Sequence, residues 1–176
     1  MMFDALEQFL RCAARLEADA ADGYDTLYHR LDDRLHHRPS SETDRRVHAE
    51  VQELFRSFAR FSRMHLNDVL AIQRRELARE YPVDDDRYVW PDGFSPENPL
   101  AVVELDEITP LKALEYALEI ERRACDFYAH VAGSTRSAQV QELAQEFAEE
   151  EAEHVTELQR WIERHRAGHD ADGESQ

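Results

Sequence analysis

Phe147-Ala148-Glu149-Glu150-Glu151-Ala152-Glu153-His154 is the stretch from which the rest of the chain can be read. It lies in a helical pattern running from about residue 137 to 166. Val140, Leu143, Phe147, Leu158, Trp161 and Ile162 recur with a period of about 3.6 residues and form one apolar stripe. Glu151 and His154, spaced i, i+3 and so on one helix face, fall in the middle of that stripe. Glu149, Glu150 and Glu153 are expected to face water. An acid and an imidazole at core-facing positions need a partner, because an isolated buried carboxylate costs several kcal/mol. A metal ion suits both groups; a hydrogen-bonded Glu–His network is the alternative.

The same anomaly recurs outward from this helix. Thr109-Pro110 is a strong helix start, with Thr as N-cap and Pro at the first helical position. The helix that follows, about 110–132, carries Leu111, Leu114, Leu118, Glu121, Cys125 and Tyr128 on one face, again with an acid among apolar residues, and Gly133 is expected to end it. Near the N-terminus, Phe3, Leu6, Leu10, Ala13, Leu16, Ala20, Tyr24, Leu27 and Leu31 mark a helix over about 3–35, with Glu17 beside the stripe. A turn at 36–40 leads to a helix over about 42–79, whose stripe Val47, Val51, Leu54, Phe58, Ser62, His65, Val69 and Ile72 includes two polar members. Between Tyr81 and Thr109 the periodicity stops. That segment holds Pro82, Pro91, Pro96 and Pro99 and is too long for a hairpin loop, so 80–109 reads as a crossover along a bundle, packed by Tyr88, Trp90 and Phe94. Residues 169–176 read as a flexible tail, leaving one domain over 1–168.

The chain is an internal repeat. Residues 51–65 align without gaps to 140–154, with identities at seven of the fifteen positions, the final His65/His154 among them. Residues 10–24 align to 114–128 and match Glu17 with Glu121 and Tyr24 with Tyr128. Two copies of one helical hairpin, joined by a crossover, make an all-α four-helix bundle. Its pseudo-twofold symmetry brings Glu17, His65, Glu121, Glu151 and His154 toward one central point. A Glu from each of two helices plus Glu-x-x-His from the other two is the ligand pattern of di-iron carboxylate bundles, and mixed carboxylate and imidazole donors suit iron or manganese.

On these residues the sequence resembles the ferritin-like superfamily, and within it the rubrerythrin-like proteins. The resemblance is carried by Glu17-x-x-Ala20-x-x-Gly23-Tyr24, Phe58-Ala59 with His65, Glu121-x-x-Ala124-x-x-Phe127-Tyr128, and Glu151-x-x-His154. It implies a ferritin-like four-helix bundle whose metal ligands are Glu17, His65, Glu121, Glu151 and His154. Ser62, Tyr24 and Tyr128 would stand immediately behind them, the tyrosine hydroxyls on the site carboxylates. It implies iron, one ion or two, reacting with O2 or peroxide, or Fe(II) itself as substrate, with manganese and zinc as the alternative metals. It also implies a homodimer. Two departures narrow it: Ser62 stands where a Glu is expected three residues before His65, and Ala124 where a further Glu would follow Glu121 by one turn. No Cys-x-x-Cys occurs, so a rubredoxin-type centre is excluded from this chain and electrons would come from a separate donor.

Bulk properties restrict the remaining classes. The formal net charge of −17 argues against nucleic acid and anionic membrane as partners. The first residues lack a basic segment followed by an apolar one, no run approaches the ~20 apolar residues of a membrane span, and a cytoplasmic location is expected. Cys12 and Cys125 read as reduced thiols, and His29, His36, His37 and His48 as surface histidines. Three functions compete: a non-haem iron oxidoreductase of peroxidase or ferroxidase type, a non-catalytic bundle that binds or senses one metal, and a dimerisation module with a degenerate site.

Overall fold

The computed structural model describes residues 5–37, 42–83 and 108–173. Four helices follow in order: α1 Leu6–His37, α2 Glu42–Leu77, α3 Pro110–Ser134 and α4 Ala138–Gly173. Among the described residues there is no strand. The expected α1–α2 turn and the crossover, with Tyr88, Trp90 and Phe94, fall largely or wholly outside the described residues.

The helix ends follow from local chemistry. Thr109 caps α3: its backbone is extended (φ −106°, ψ 162°) and its hydroxyl accepts from Lys112 N at 3.2 Å, with Pro110 in the first turn. Ser137 Oγ accepts from Val140 N at 3.4 Å and starts α4. α2 stops at Leu77, slightly short of the end expected from the sequence, because Ala78 adopts a left-handed conformation (φ 50°). That is a helix stop which glycine normally signals, and no glycine marks it here. Gln73 secures this end. It is fully buried, donates to Leu10 O at 3.1 Å and accepts from Tyr81 N at 2.9 Å, so both faces of its amide are used. α4 continues through Gly168 to Gly173, past its expected end. A glycine inside a helix costs about 1 kcal/mol and does not by itself end it.

α1 packs on α2 and α3 on α4, as two hairpins that face each other. The apolar core is split. One cluster gathers Phe9, Leu10, Leu16, Val69, Tyr128, Val140 and Phe147. The other gathers Leu27, Leu31, Val51, Phe55, Leu114, Leu118, Leu158 and Ile162. Every helix contributes to both clusters, and between its two contributions each carries a polar core residue: Glu17, Ser62, Glu121 and Glu151, all buried. A polar layer therefore crosses the bundle between two oily ones. The same order shows that α1 and α4 run one way and α2 and α3 the other. The end of α2 and the start of α3 therefore lie at opposite ends of the bundle.

Ion pairs add little at the surface. Arg63–Asp25 joins α1 to α2, and Arg166 Nη2–Glu115 Oε1, at 2.5 Å, joins α3 to α4. Both are exposed, where such pairs contribute at most about 1 kcal/mol. Packing of the two apolar clusters holds the bundle. No helix among the described residues is long and apolar enough to cross a membrane.

Candidate metal centre

The polar layer is built from all four helices. Glu121 of α3 is 2% exposed and Glu151 of α4 is 3% exposed. His154, one turn on from Glu151, places Nδ1 3.3 Å from Glu121 Oε2 and 3.2 Å from Glu151 Oε2. One ligand atom from each of the three lies within 4.8 Å of the others, a grouping that could hold a metal ion. Tyr24 of α1 donates its hydroxyl to Glu121 Oε1. Glu17, 4% exposed, faces the same centre, with Oε2 3.8 Å from His65 Nδ1 of α2. The His65 and His154 rings stack across the α2–α4 gap, 6.0 Å apart and tilted by 12°.

Thus Glu17, His65, Glu121, Glu151, His154 and Tyr24 are brought to one layer. Ser62 lies in the same layer but turns away, donating to Phe58 O at 3.2 Å within its own helix. This is the common habit of a buried helical serine. Tyr128, the repeat partner of Tyr24, is buried among Phe9, Phe127 and Phe147 in the neighbouring apolar cluster.

Acid groups outnumber basic ones in the layer. Three carboxylates, Glu17, Glu121 and Glu151, are buried beside one cationic imidazole. Burial alone would push His154 down, but its hydrogen bonds to Glu121 and Glu151 prevail and raise it to about 11. Burial also pushes Glu121 up, yet the bonds from His154, Glu151 and Tyr24 outweigh it and hold Glu121 below the ordinary carboxylate range. Glu151 is raised well above that range, by burial and then by the charge of Glu121. Glu17 is raised to about 8 for the same two reasons. Burial, then the charge on His154, pushes His65 down and so favours the neutral ring, the form that can offer a nitrogen to a metal. Carboxylates driven to hold protons in the middle of a core are groups that a divalent cation would deprotonate and bind. Two further observations fit a metal. His65 Nδ1 is buried with no hydrogen-bond partner, and no hydrogen-bond donor reaches the Glu17 carboxylate among the described residues. The donor set of carboxylates and imidazoles is that of a first-row divalent ion.

The layer opens on one side. A cavity of ≈ 830 Å³ between α2 and α4 is lined by Phe58, Phe61, His65, Glu150 and His154, among others. Glu150, expected to face water with its acidic neighbours, is 40% exposed at the cavity wall, and its Oε2 also lies 4.0 Å from His65 Nδ1. The sequence signals that proximity: Glu150 stands four residues before His154, a spacing that shares a helix face as well as i, i+3 does. Neither cysteine forms a disulfide; Cys12 is buried and Cys125 partly so, with Cys125 Sγ 3.5 Å from Ala148 O.

Comparison with known proteins agrees with this architecture. Residues 112–176, which span α3 and α4, match the family model Rubrerythrin. An uncharacterized conserved protein from Magnetospirillum magnetotacticum MS-1, solved by crystallography, is similar over 91% of this chain and 95% of its own, with 29% identity and a TM-score of 0.68. The search of curated proteins found no match. Residues 112–176 are thus rubrerythrin-like in sequence, and the four helices together form the ferritin-like bundle that the resemblance implied.

Proposed function

We propose that this bundle binds a first-row divalent metal ion, iron foremost, between its hairpins, and that it acts as a non-haem iron oxidoreductase on O2, peroxide or Fe(II). The observation that carries the reading is the convergence of buried carboxyl groups and an imidazole, Glu121, Glu151 and His154, with Glu17 buried in the same layer. Glu121, Glu151 and His154 would hold the ion, and Glu17 and His65 of the same layer are further candidate ligands. Bound iron would supply one-electron redox chemistry. The chain's own residues do the rest. Tyr24 fixes the orientation of Glu121, as groups behind metal ligands do. His154 and Glu17 give up protons as the ion binds. The cavity beside Phe58 and Phe61 admits a small oxidant from the α2–α4 face, while the apolar clusters above and below keep bulk water from the layer. Electrons come from a separate protein, and the working unit is a cytoplasmic homodimer.

Anaerobic loading with Fe(II), elemental analysis and a measurement of O2 and peroxide consumption test this reading. The expected result is one or two irons per chain and turnover of at least one oxidant. Iron-loaded protein that consumes neither favours the second reading, a bundle that binds or senses a metal without turnover. One observation supports that second reading: Ser62 points into its own helix where a fourth buried carboxylate would stand.

A further inference from the structure

The repeat is symmetric in its histidines and asymmetric in its acids. His65 on α2 and His154 on α4 occupy equivalent positions and stack on each other. Glu151, three residues before His154, has Ser62 as its equivalent; Glu150 has Phe61. Apart from the exposed Asp68, one turn beyond His65, α2 therefore offers an imidazole and no carboxylate, while α4 offers an imidazole and two adjacent carboxylates. Those two diverge. Glu151 turns inward to its own His154, at 3.2 Å, and Glu150 leans across the gap toward His65, at 4.0 Å.

Around His65 three further facts meet. Its Nδ1 is buried and without a hydrogen bond. On one side stands Glu17, only 4% exposed, a buried acid with no hydrogen-bond donor among the described residues, its Oε2 at 3.8 Å. On the other stands Glu150 at the wall of the cavity, likewise without a donor and exposed enough to change rotamer. Bonds of about 2.1 Å from a first-row ion to nitrogen and oxygen put its ligand atoms about 3.0 to 4.2 Å apart. The separations of 3.8 and 4.0 Å about Nδ1 fall in that range. Unlike Glu121, Glu151 and His154, these three do not all lie within 4.8 Å of one another, so coordination by all three needs the half-exposed Glu150 to change rotamer toward Glu17.

We propose that Glu150 is a metal ligand, and that with His65 and Glu17 it forms a second, exchangeable divalent-cation position at the inner end of the α2–α4 cavity. The carboxylate absent from α2 is thereby replaced from α4. This rests on the reading of Glu121, Glu151 and His154 as the tighter position. The second position differs in character. One of its ligands is reached from solvent, and the cavity wall adds Glu153, whose charge draws cations toward it, beside Glu157, which is paired with Arg160 and Arg164. It is the position at which an ion enters and leaves.

The test uses the full chain, stripped with chelator and titrated with Mn2+, free ion being followed by its electron paramagnetic resonance signal and bound ion by equilibrium dialysis. Wild type is expected to bind two ions, one tighter than the other. Glu150→Gln, an isosteric change at a half-exposed helix position, should keep the tighter ion and weaken the other by about 10-fold or more. Glu149→Gln, an exposed neighbour, should change neither and so excludes a general effect of surface charge. A Glu150→Gln protein that binds as wild type does, or a Glu149→Gln protein with the same loss, overturns the proposal. Wild type binding a single ion that Glu151→Gln abolishes overturns the second position and leaves the first standing. Wild type binding no ion removes both.

Discussion

The Tyr24 hydroxyl, on α1, donates to Glu121, on α3, and so ties the two hairpins together at a carboxylate of the polar layer. Tyr24 is also packed against Phe55 and Phe58, so its ring belongs to the apolar cluster while its hydroxyl belongs to the site. Tyr24→Phe keeps the ring and removes the bond. A buried hydrogen bond to a charged acceptor contributes roughly 1.5–3 kcal/mol, and loss of such a support weakens metal binding by about 10-fold or more. Urea unfolding of chelator-treated protein should show the first effect and a metal titration the second. Unchanged values in both would mean that the bond orders nothing.

The stability of chelator-treated protein should fall as pH rises. Glu17 is raised from 4.5 to about 8, so its contribution is fully present below 4.5 and is lost as pH rises through 8. His154 is raised from 6.5 to about 11, so its contribution is complete below 6.5 and is lost toward 11. Both act in one direction, and Glu151, also raised, adds to them; His65, pushed down, opposes them only below 6.5. Thermal melts from pH 5 to 9 should therefore show a decreasing Tm, flattened below pH 8 in Glu17→Gln. Metal ions replace these protons, so the rise in Tm on adding Mn2+ should be larger at pH 8 than at pH 6. A Tm that climbs from pH 5 to 9 in chelator would contradict the burial of protonated carboxylates.

Ser62→Glu restores to α2 the acid that the repeat places at Glu151. Ser62 is 4% exposed and lies in the layer, so the new carboxylate enters a site already rich in buried acids. In chelator the variant should be destabilised by several kcal/mol, the cost of one more unpaired buried charge. With Mn2+ present that loss should be largely recovered, with affinity at the His65 side raised about 10-fold. The paired melts, with and without metal, measure both; a destabilisation that metal does not relieve would place position 62 outside the coordination sphere.

The legible part of this molecule was what periodicity carries. Glu17, Glu121 and Glu151 interrupt apolar stripes, and burial of those stripes carries the acids into the core with them. The duplication gave the pairing of hairpins, and the length of the interrupted segment gave the direction in which α3 begins. What was not legible depends on how far apart helices lie. Phe9, fully buried, sits one position off the expected α1 stripe because each helix faces two neighbours and buries a wider arc than a single ridge. Glu150 reads as one of three solvated acids until the gap between α2 and α4 shows that it faces His65. Tyr24 and Tyr128 are equivalent in the repeat, yet Tyr24 meets Glu121 whereas Tyr128 sits in a ring cluster with Phe9, Phe127 and Phe147. Sequence symmetry does not compel structural symmetry where neighbouring side chains differ.

On the proposed function, Glu121, Glu151 and His154 converge because they hold a cation. Elemental analysis of the protein as purified, beside Glu151→Ala prepared identically, tests it most directly. Wild type should carry at least one transition-metal ion per chain, and the variant, with circular dichroism showing an intact bundle, should carry about a tenth of that or less. Equal metal content in the two would contradict the account.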